Sequence, residues 1–217
     1  MHYLDRSKVE SPECLNNVDE GRSYKHLRGT ETEQIRAALL DLQDYRCAYC
    51  ECRTGDQRDQ GHIEHFYDQS GHSHLSLEWT NMYWSCLNTK TCGKHKDDCR
   101  RHAGPKRRFR PDEIIKPSFE DPEKYLFFVA ERSIQPRTGL DETDFNRAME
   151  TIRVFNLEDA VLAKNRTDAI HFINNTVKML LDEEQFDLLS LFVDRQLKEA
   201  ERAPFGTAIK HFLSTVL

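Results

Sequence analysis

Residues 47–102 contain most of the structural information in this sequence. The informative segments are CAYC (47–50), HIEHF (62–66), WTN (79–81), SC (85–86) and CGKHKD (92–97). Six of the seven cysteines and six of the ten histidines fall in this stretch. An odd number of cysteines cannot all pair in disulfides, and cysteines clustered with histidines are typical of metal sites in reducing compartments. The stretch therefore predicts a metal-stabilised fold.

Two pairs of cysteines in this stretch have the spacing of zinc ligands. A Cys-x2-Cys turn and a second, looser Cys-x5-Cys turn can present four thiolates to one tetrahedral ion. The predicted ligands of this structural Zn²⁺ are Cys47, Cys50, Cys86 and Cys92. A closed four-thiolate site leaves no position for water, so its expected role is in folding.

Three further side chains of the stretch are alternative ligands: Cys52, Cys99 and His102. In particular, a Cys99–His102 pair could replace Cys92 in the second turn. Cys14 lies outside the stretch and is expected to be an ordinary thiol.

Between the two cysteine pairs lie side chains suited to cutting a phosphodiester bond. Such a reaction needs a base that takes a proton from water, a divalent cation, and a group that orients the base. His65 suits the base because an imidazole can be neutral near pH 7, and Glu64 is an oxygen donor suited to Mg²⁺ or Mn²⁺. Asn81 could orient the ring or the loop. Neighbouring residues of a strand point to opposite faces, so the strand must end or bulge if Glu64 and His65 serve one site.

These segments resemble HNH endonucleases of the ββα-metal fold, and within them the defence-associated group of retron-linked HNH proteins and PtuB-like Septu subunits. The residues that carry the resemblance are RCAYCE (46–51), HIEHF (62–66), LEWTNMYWSC (77–86) and CGKHKDD (92–98), with looser similarity over 114–136 and 140–166. The resemblance implies that Glu64 is the acidic metal ligand, His65 the general base and Asn81 the central asparagine. It also implies that the four cysteines hold structural zinc.

One position departs from the pattern of this family. Many HNH proteins have asparagine directly after the last cysteine, where it completes the site of the catalytic cation, but here the residue is Gly93. His95, or alternatively Asp97, would have to supply the missing ligand. His62 is a further candidate, either as a ligand or as a phosphate contact.

The resemblance also implies partners: DNA as substrate, a PtuA-like ATPase subunit and, in part of the group, a retron complex. A second function remains open because of Gly93, namely a catalytically inactive zinc-stabilised module that binds nucleic acid or protein. A zinc-ribbon adaptor, with its helical part as the protein-binding surface, is the third.

Residues 100–110 (RRHAGPKRRFR) form a basic segment with no acidic residue. The formal net charge of −6 argues against a globally basic nucleic-acid binder but permits such a local patch. Lysine and arginine along a nucleic-acid backbone provide affinity without sequence preference. The predicted phosphate contacts are Arg100, Arg101, Lys106, Arg107, Arg108 and Arg110. A solvated charged linker is the alternative interpretation.

The predicted fold class is α+β, a small zinc-stabilised ββα-metal core with a mainly α-helical C-terminal part. The predicted organisation is an N-terminal arm (1–30), a nuclease domain with basic segment and hairpin (31–136), and a helical, partner-docking region (137–217). Within it we expect a helix over 31–45 with a Thr30–Glu33 capping box, strands over 62–66 and 75–79, a helix over 93–102, a hairpin turning at 131–132, and about four helices from 141. The first of these four should bury a stripe of Phe145, Met149, Ile152 and Phe155.

The remaining composition indicates a soluble protein. The longest apolar run, residues 125–130, is far shorter than the ~18 residues that a membrane span requires. The first residues lack the apolar segment of a signal peptide. We therefore expect no membrane association and a cytoplasmic location.

Overall fold

The computed structural model describes residues 1–16, 18–55, 57, 59–101, 109–129 and 133–216. These residues form α1 (Gly29–Leu42), β1 (His62–His65), β2 (Met82–Ser85), α2 (Cys92–Arg101), β3 (Leu126–Val129), β4 (Ser133–Pro136), α3 (Glu142–Phe155), α4 (Ala160–Asp182), α5 (Phe186–Ala200) and α6 (Gly206–Leu213). The mixture of helices with two small sheets confirms the α+β class. None of the described helices has the length and apolar character needed to cross a membrane.

The first sheet pairs β1 and β2 antiparallel, with His62 opposite Ser85 and His65 opposite Met82. The expected second strand over 75–79 is therefore wrong, because that part of the chain forms 3-10 turns at Ser73–Leu75 and Trp79–Asn81. All four residues of β2 are buried, so they show no alternation that would predict a strand.

Helix α1 begins two residues earlier and ends three residues earlier than predicted. The expected Thr30–Glu33 capping box is not the one that forms, since the carboxylate of Glu31 accepts the backbone N–H of Arg28 at 2.8 Å. After the helix, Asp44 and Tyr45 have positive φ angles of 48° and 57°, which end it and turn the chain toward the first cysteines.

The N-terminal residues pack against the rest of the chain. Met1 and Leu4 are buried in the same apolar cluster as Tyr83 and Ile115, and the N–H of Leu4 donates to the carbonyl of Pro117 at 2.8 Å. The first residues are thus part of the core, whereas the domain limits at residues 30 and 136 stay predictions.

The C-terminal half contains the predicted hairpin and four helices. β3 and β4 pair antiparallel from Leu126 opposite Pro136 to Val129 opposite Ser133, while the turn at 130–132 lies outside the described residues. The predicted apolar stripe of α3 is only half right. Ile152 and Phe155 are buried, but Phe145 and Met149 are 46% and 47% exposed. The smaller Ala148 and Thr151 face the interior instead, because their size allows α3 to approach α2 and β4 closely.

Candidate active site and metal centre

Four buried cysteines converge at one end of the β1–β2 sheet. Their sulfur atoms all lie within 4.8 Å of one another, and the Cys50 and Cys86 sulfurs are 4.0 Å apart. Four thiolates around a tetrahedral zinc ion are separated by about 3.8 Å, given Zn–S bonds of about 2.3 Å. The predicted set of Cys47, Cys50, Cys86 and Cys92 therefore fits a structural zinc ion. Among the described residues, it is the one group of three or more His, Cys, Asp or Glu side chains that converges in this way.

The chain brings the two cysteine pairs together through backbone contacts. The N–H of Ala48, inside the first turn, donates to the carbonyl of Trp84 in β2 at 3.0 Å. The long second spacing is accommodated because residues 87–91 loop out and Cys92 becomes the first residue of α2. Burial raises the pKa of the Cys92 thiol, so four thiolates at this site would need a cation to offset their charge.

Of the spare ligands, Cys52 interacts with Cys47, Cys50 and Cys86 without being one of the four convergent sulfurs. The Cys99 sulfur lies 3.6 Å from Nδ1 of His95, on the side of α2 that faces α3. His102, its suggested partner, lies outside the described residues. The Cys92 sulfur is itself the fourth member of the cluster. The geometry therefore favours the four-cysteine set over the alternative with Cys99 and His102.

His65 is 7% exposed and is oriented by a backbone carbonyl. Its Nε2 atom lies 3.0 Å from the carbonyl oxygen of Ser76, and its Nδ1 atom lies 3.2 Å from the side-chain amide nitrogen of Gln69. Since a carbonyl can only accept, Nε2 carries the proton, and the Nδ1 lone pair accepts a hydrogen bond from the side-chain amide of Gln69. Burial lowers the pKa of His65, which favours the neutral ring near pH 7. The ring is thus arranged to accept a proton at Nδ1.

His65 lines a cavity of about 480 Å³ together with His62, Glu64, Asp97 and Arg100. Glu64 and His65 both line this cavity although they are neighbours in a regularly paired strand, with His65 opposite Met82. The side chains of Asp68 and Gln69, which sequence reasoning did not single out, complete its rim.

Glu64 is buried with two partners that the sequence analysis missed. The Tyr49 hydroxyl donates to its Oε2 atom at 2.7 Å, and the ammonium of Lys96 forms an ion pair with Oε1. Lys96 is completely buried and also donates to the carbonyl oxygens of His65 and Phe66. The carboxylate is therefore already neutralised from within the protein, and a cation in the cavity would have to share it with Lys96. In the sequence, only the position of Lys96, one helical turn after Cys92, indicated that its side chain could face the interior.

Gly93 lets α2 approach Glu64 closely. A Cβ atom at this position would lie 2.4 Å from Cγ of Glu64 and 3.1 Å from Oγ of Ser85. The backbone N–H of Gly93 donates to that same Oγ at 3.2 Å. An asparagine at position 93 would therefore displace Glu64. Glycine at this position, in place of the asparagine of many HNH proteins, allows the Glu64 carboxylate to lie where it does.

The three remaining candidate ligands do not all lie in the cavity. Nδ1 of His95 lies 2.8 Å from the carbonyl of Val154, and its ring lines a separate cavity of about 1120 Å³ between α2 and α3. Asp97 and His62 do line the cavity of His65. Both ring nitrogens of His62 are buried without a hydrogen-bond partner among the described residues, and burial lowers its pKa. This geometry favours His62 and Asp97 over His95 as ligands beside Glu64.

Asn81 orients the loop between β1 and β2 and does not contact the His65 ring directly. Its Oδ1 atom accepts the N–H of Tyr67 at 2.7 Å, and its Nδ2 atom donates to the carbonyls of Tyr67 and Leu75, both at 2.9 Å. Leu75 precedes Ser76, whose carbonyl holds His65. Asn81 thus holds the loop whose Ser76 carbonyl contacts His65.

The structure describes the basic segment at its two ends, residues 100–101 and 109–110. Arg100 forms an ion pair with Asp68 at the rim of the cavity. Arg110 is exposed, and its Nε lies 3.0 Å from Oε1 of Glu113. The predicted contacts Lys106, Arg107 and Arg108 lie outside the described residues, and Arg101 closes α2. The role of the segment as a phosphate-binding stripe stays a prediction.

Comparison with known proteins adds one distant relative. No protein-family model matches the chain. The chain is 26% identical to the Septu protein PtuB of Bacillus thuringiensis over 117 residues, which is 52% of this chain. The match covers 41% of the length of that relative. The chain is therefore a distant relative of a Septu protein over about half of its own sequence.

Proposed function

We propose that this chain is a metal-dependent HNH endonuclease that hydrolyses phosphodiester bonds of DNA in a Septu-like anti-phage defence system. The observation that carries the proposal is the contact of His65 Nε2 with the Ser76 carbonyl, which leaves Nδ1 as a proton acceptor in a cavity that also contains Glu64. The distant similarity to a Septu protein supports the biological setting.

In this mechanism, His65 takes a proton from a water molecule at Nδ1. The Ser76 carbonyl keeps its hydrogen bond to Nε2–H throughout, so it orients the neutral ring and stabilises the charged ring that forms. The water then attacks phosphorus in line with the departing 3′ oxygen. Asn81 contributes by holding the loop that carries this carbonyl.

The donors in the cavity are of the type that a hard divalent cation takes, although their ligand atoms do not converge as the four sulfurs do. Mg²⁺ is bound in many enzymes by one or two carboxylates, waters and substrate phosphate, and Glu64 and Asp97 supply such carboxylates here. His62 has unpartnered nitrogens and would be a further ligand or phosphate contact. When bound, Mg²⁺ or Mn²⁺ would offset negative charge on the leaving oxygen.

We further propose a PtuA-like ATPase as partner, docked on residues 137–217. Five apolar side chains on α4 and α5 are more than half exposed, namely Val161, Phe172, Phe186, Leu188 and Leu191. Exposed apolar side chains of this size on neighbouring helices are typical of protein interfaces. The retron complex implied by the resemblance stays a prediction.

The test is plasmid cleavage with Mg²⁺ or Mn²⁺, with and without the ATPase, for the wild type and His65→Ala. Loss of a general base lowers rates by about 10²- to 10⁴-fold, so the variant should leave the plasmid intact. His74→Ala, an exposed histidine of the loop between β1 and β2, is the control and should cut like the wild type. A folded, zinc-loaded His65→Ala protein that still cuts would contradict the role of His65.

A second function is favoured by one observation. Both oxygens of Glu64 already have partners in Tyr49 and Lys96, which suits an inactive zinc-stabilised binding module. This alternative predicts nucleic-acid or protein binding that His65→Ala does not change. It also predicts no cleavage by the wild type under either cation, even with the ATPase present.

A further inference from the structure

Phe119 is an exposed aromatic side chain held in a defined position. It is 73% exposed, the highest exposure of any large apolar side chain among the described residues. Its backbone N–H donates to the carbonyl of Lys116 at 2.9 Å, which closes a turn. The ammonium of Lys116 lies 4.7 Å from the centroid of its ring. The ring is therefore oriented by its own turn and by a cation.

The ammonium of Lys116 has no acidic partner among the described residues. Its Nζ atom also lies 5.0 Å from the ring centroid of Tyr67 and 5.7 Å from that of Phe66. Within the described part of the chain, no carboxylate lies within ion-pair distance of it, and the nearby guanidinium of Arg6 adds positive charge. Burial, with a smaller contribution from Arg6, lowers the pKa of Lys116 to about 8. An anion placed here would relieve this uncompensated charge.

A continuous series of contacts joins Phe119 to the cavity of His65. Tyr67 follows His65 by two residues, and the Asn81 amide binds both its N–H and its carbonyl. The Tyr67 ring packs against His72, with centroids 5.3 Å apart. The His72 ring in turn lies 3.0 Å from Asp68, which lines the cavity. Phe119 and the cavity therefore belong to one continuously packed part of the protein.

We propose that Phe119, supported by Lys116 and Tyr67, stacks against an unpaired base of the nucleic acid, so that the substrate is single-stranded or locally unpaired DNA. This inference rests on the proposed function. A base in the interior of a duplex is stacked on both neighbours and has no free face, whereas an unpaired base can stack on an exposed aromatic ring. The phosphate beside that base would supply the anion that Lys116 lacks, which a purely apolar protein partner would not.

The test measures binding without cleavage, in the His65→Ala background and without added divalent cation. A short labelled oligo(dT) strand and a blunt duplex of the same length are titrated by fluorescence anisotropy. Stacking of one base predicts that Phe119→Ala weakens strand binding about tenfold and leaves duplex binding unchanged. Phe119→Leu should behave like alanine, because leucine is apolar but cannot stack.

Two variants provide the matched controls. Phe119→Trp should restore strand binding, and its new exposed indole should lose fluorescence when the strand binds. Phe145→Ala removes another exposed phenylalanine, on α3, and should bind the strand like the parent protein. These controls separate stacking from a general loss of apolar surface.

Several results would overturn the inference. They are a parent protein that does not bind the strand, a Phe119→Ala protein that binds it equally well, or equal losses for strand and duplex. If plasmids are cut but Phe119→Ala has no effect on binding, this inference fails alone. If stacking is observed but no condition yields cleavage, the proposed nuclease function fails and the stacking site stands.

Discussion

The Nε2 atom of His65 lies 3.0 Å from the carbonyl oxygen of Ser76. This single contact determines the chemistry that the ring can perform, because it leaves the proton-accepting lone pair on Nδ1, beside Gln69 and the cavity. Ser76 belongs to the loop between β1 and β2, eleven residues after His65 along the chain. The orientation of the His65 ring therefore depends on the shape of that loop.

Asn81 should be needed both for stability and for catalysis. Asn81→Ala removes hydrogen bonds to Tyr67 and Leu75 and leaves their backbone groups without a partner. Each buried group left unsatisfied costs about 1–3 kcal/mol, so thermal unfolding should occur at a clearly lower temperature. The cleavage rate should also fall, because the Ser76 carbonyl shifts. The exposed Asn175 provides the control, and Asn175→Ala should change neither quantity. An Asn81→Ala protein with wild-type stability and rate would contradict this role.

Lys96 should be required to keep Glu64 buried. Lys96→Met leaves the carboxylate without its cation, and breaking one side of a buried ion pair costs about 3–5 kcal/mol. Urea unfolding should show this loss, and Glu64→Gln in the same protein should recover part of it because the amide carries no charge. Lys94→Met, an exposed lysine of the same helix, should be neutral. If Lys96→Met alone were also neutral, the ion pair would not be stabilising.

Zinc should be lost when one cysteine of the cluster is replaced. Cys47→Ser removes one of the four convergent sulfurs, and the binding free energy of a structural zinc ion is part of the folding free energy. Elemental analysis should detect little bound zinc, and the unfolding temperature should fall. Cys14→Ser, outside the cluster, should retain zinc and stability. A stable, zinc-loaded Cys47→Ser protein would exclude the four-cysteine assignment.

Glu123 should make folding stability depend on acidic pH. Partial burial opposes ionisation, but hydrogen bonds from His211 and Lys210 outweigh it and lower the pKa of Glu123 to about 2. The unfolded chain has a carboxyl pKa near 4.5, so it binds more protons between these values. This contribution, about 2–3 kcal/mol once solvent screening of the partly exposed carboxylate reduces it, is therefore present above pH 4.5 and is lost as the pH falls toward 2.

The measurement is urea unfolding across this pH range. Glu123→Gln should reduce stability near neutral pH and flatten the slope below pH 4.5. Glu183→Gln, at the exposed end of α4, should keep the wild-type profile. An unchanged slope in Glu123→Gln would show that other carboxylates determine acid stability.

Several features were predictable because they depend on local spacing. The Cys-x2-Cys turn, β1, α2, the hairpin and the four C-terminal helices each follow from patterns within one segment. Other features failed because packing on distant residues determined them. β2 has no alternation because both of its faces are buried, and α3 turns Phe145 outward because Ala148 permits a closer contact with its neighbours.

The residue pattern alone identified the four cysteines that converge, because their spacing matches two ligand turns, and it placed an imidazole next to a carboxylate as the candidate base. The tertiary structure was needed to show which of the candidate cation ligands face the cavity. His95 and Asp97 lie two residues apart on α2, so helical geometry sends them to different sides, toward Val154 and toward His65. Lys96, between them, points inward and neutralises Glu64. Which side chains of α2 face the cavity depends on the rotation of the helix about its own axis relative to the sheet. No local sequence pattern encodes that rotation.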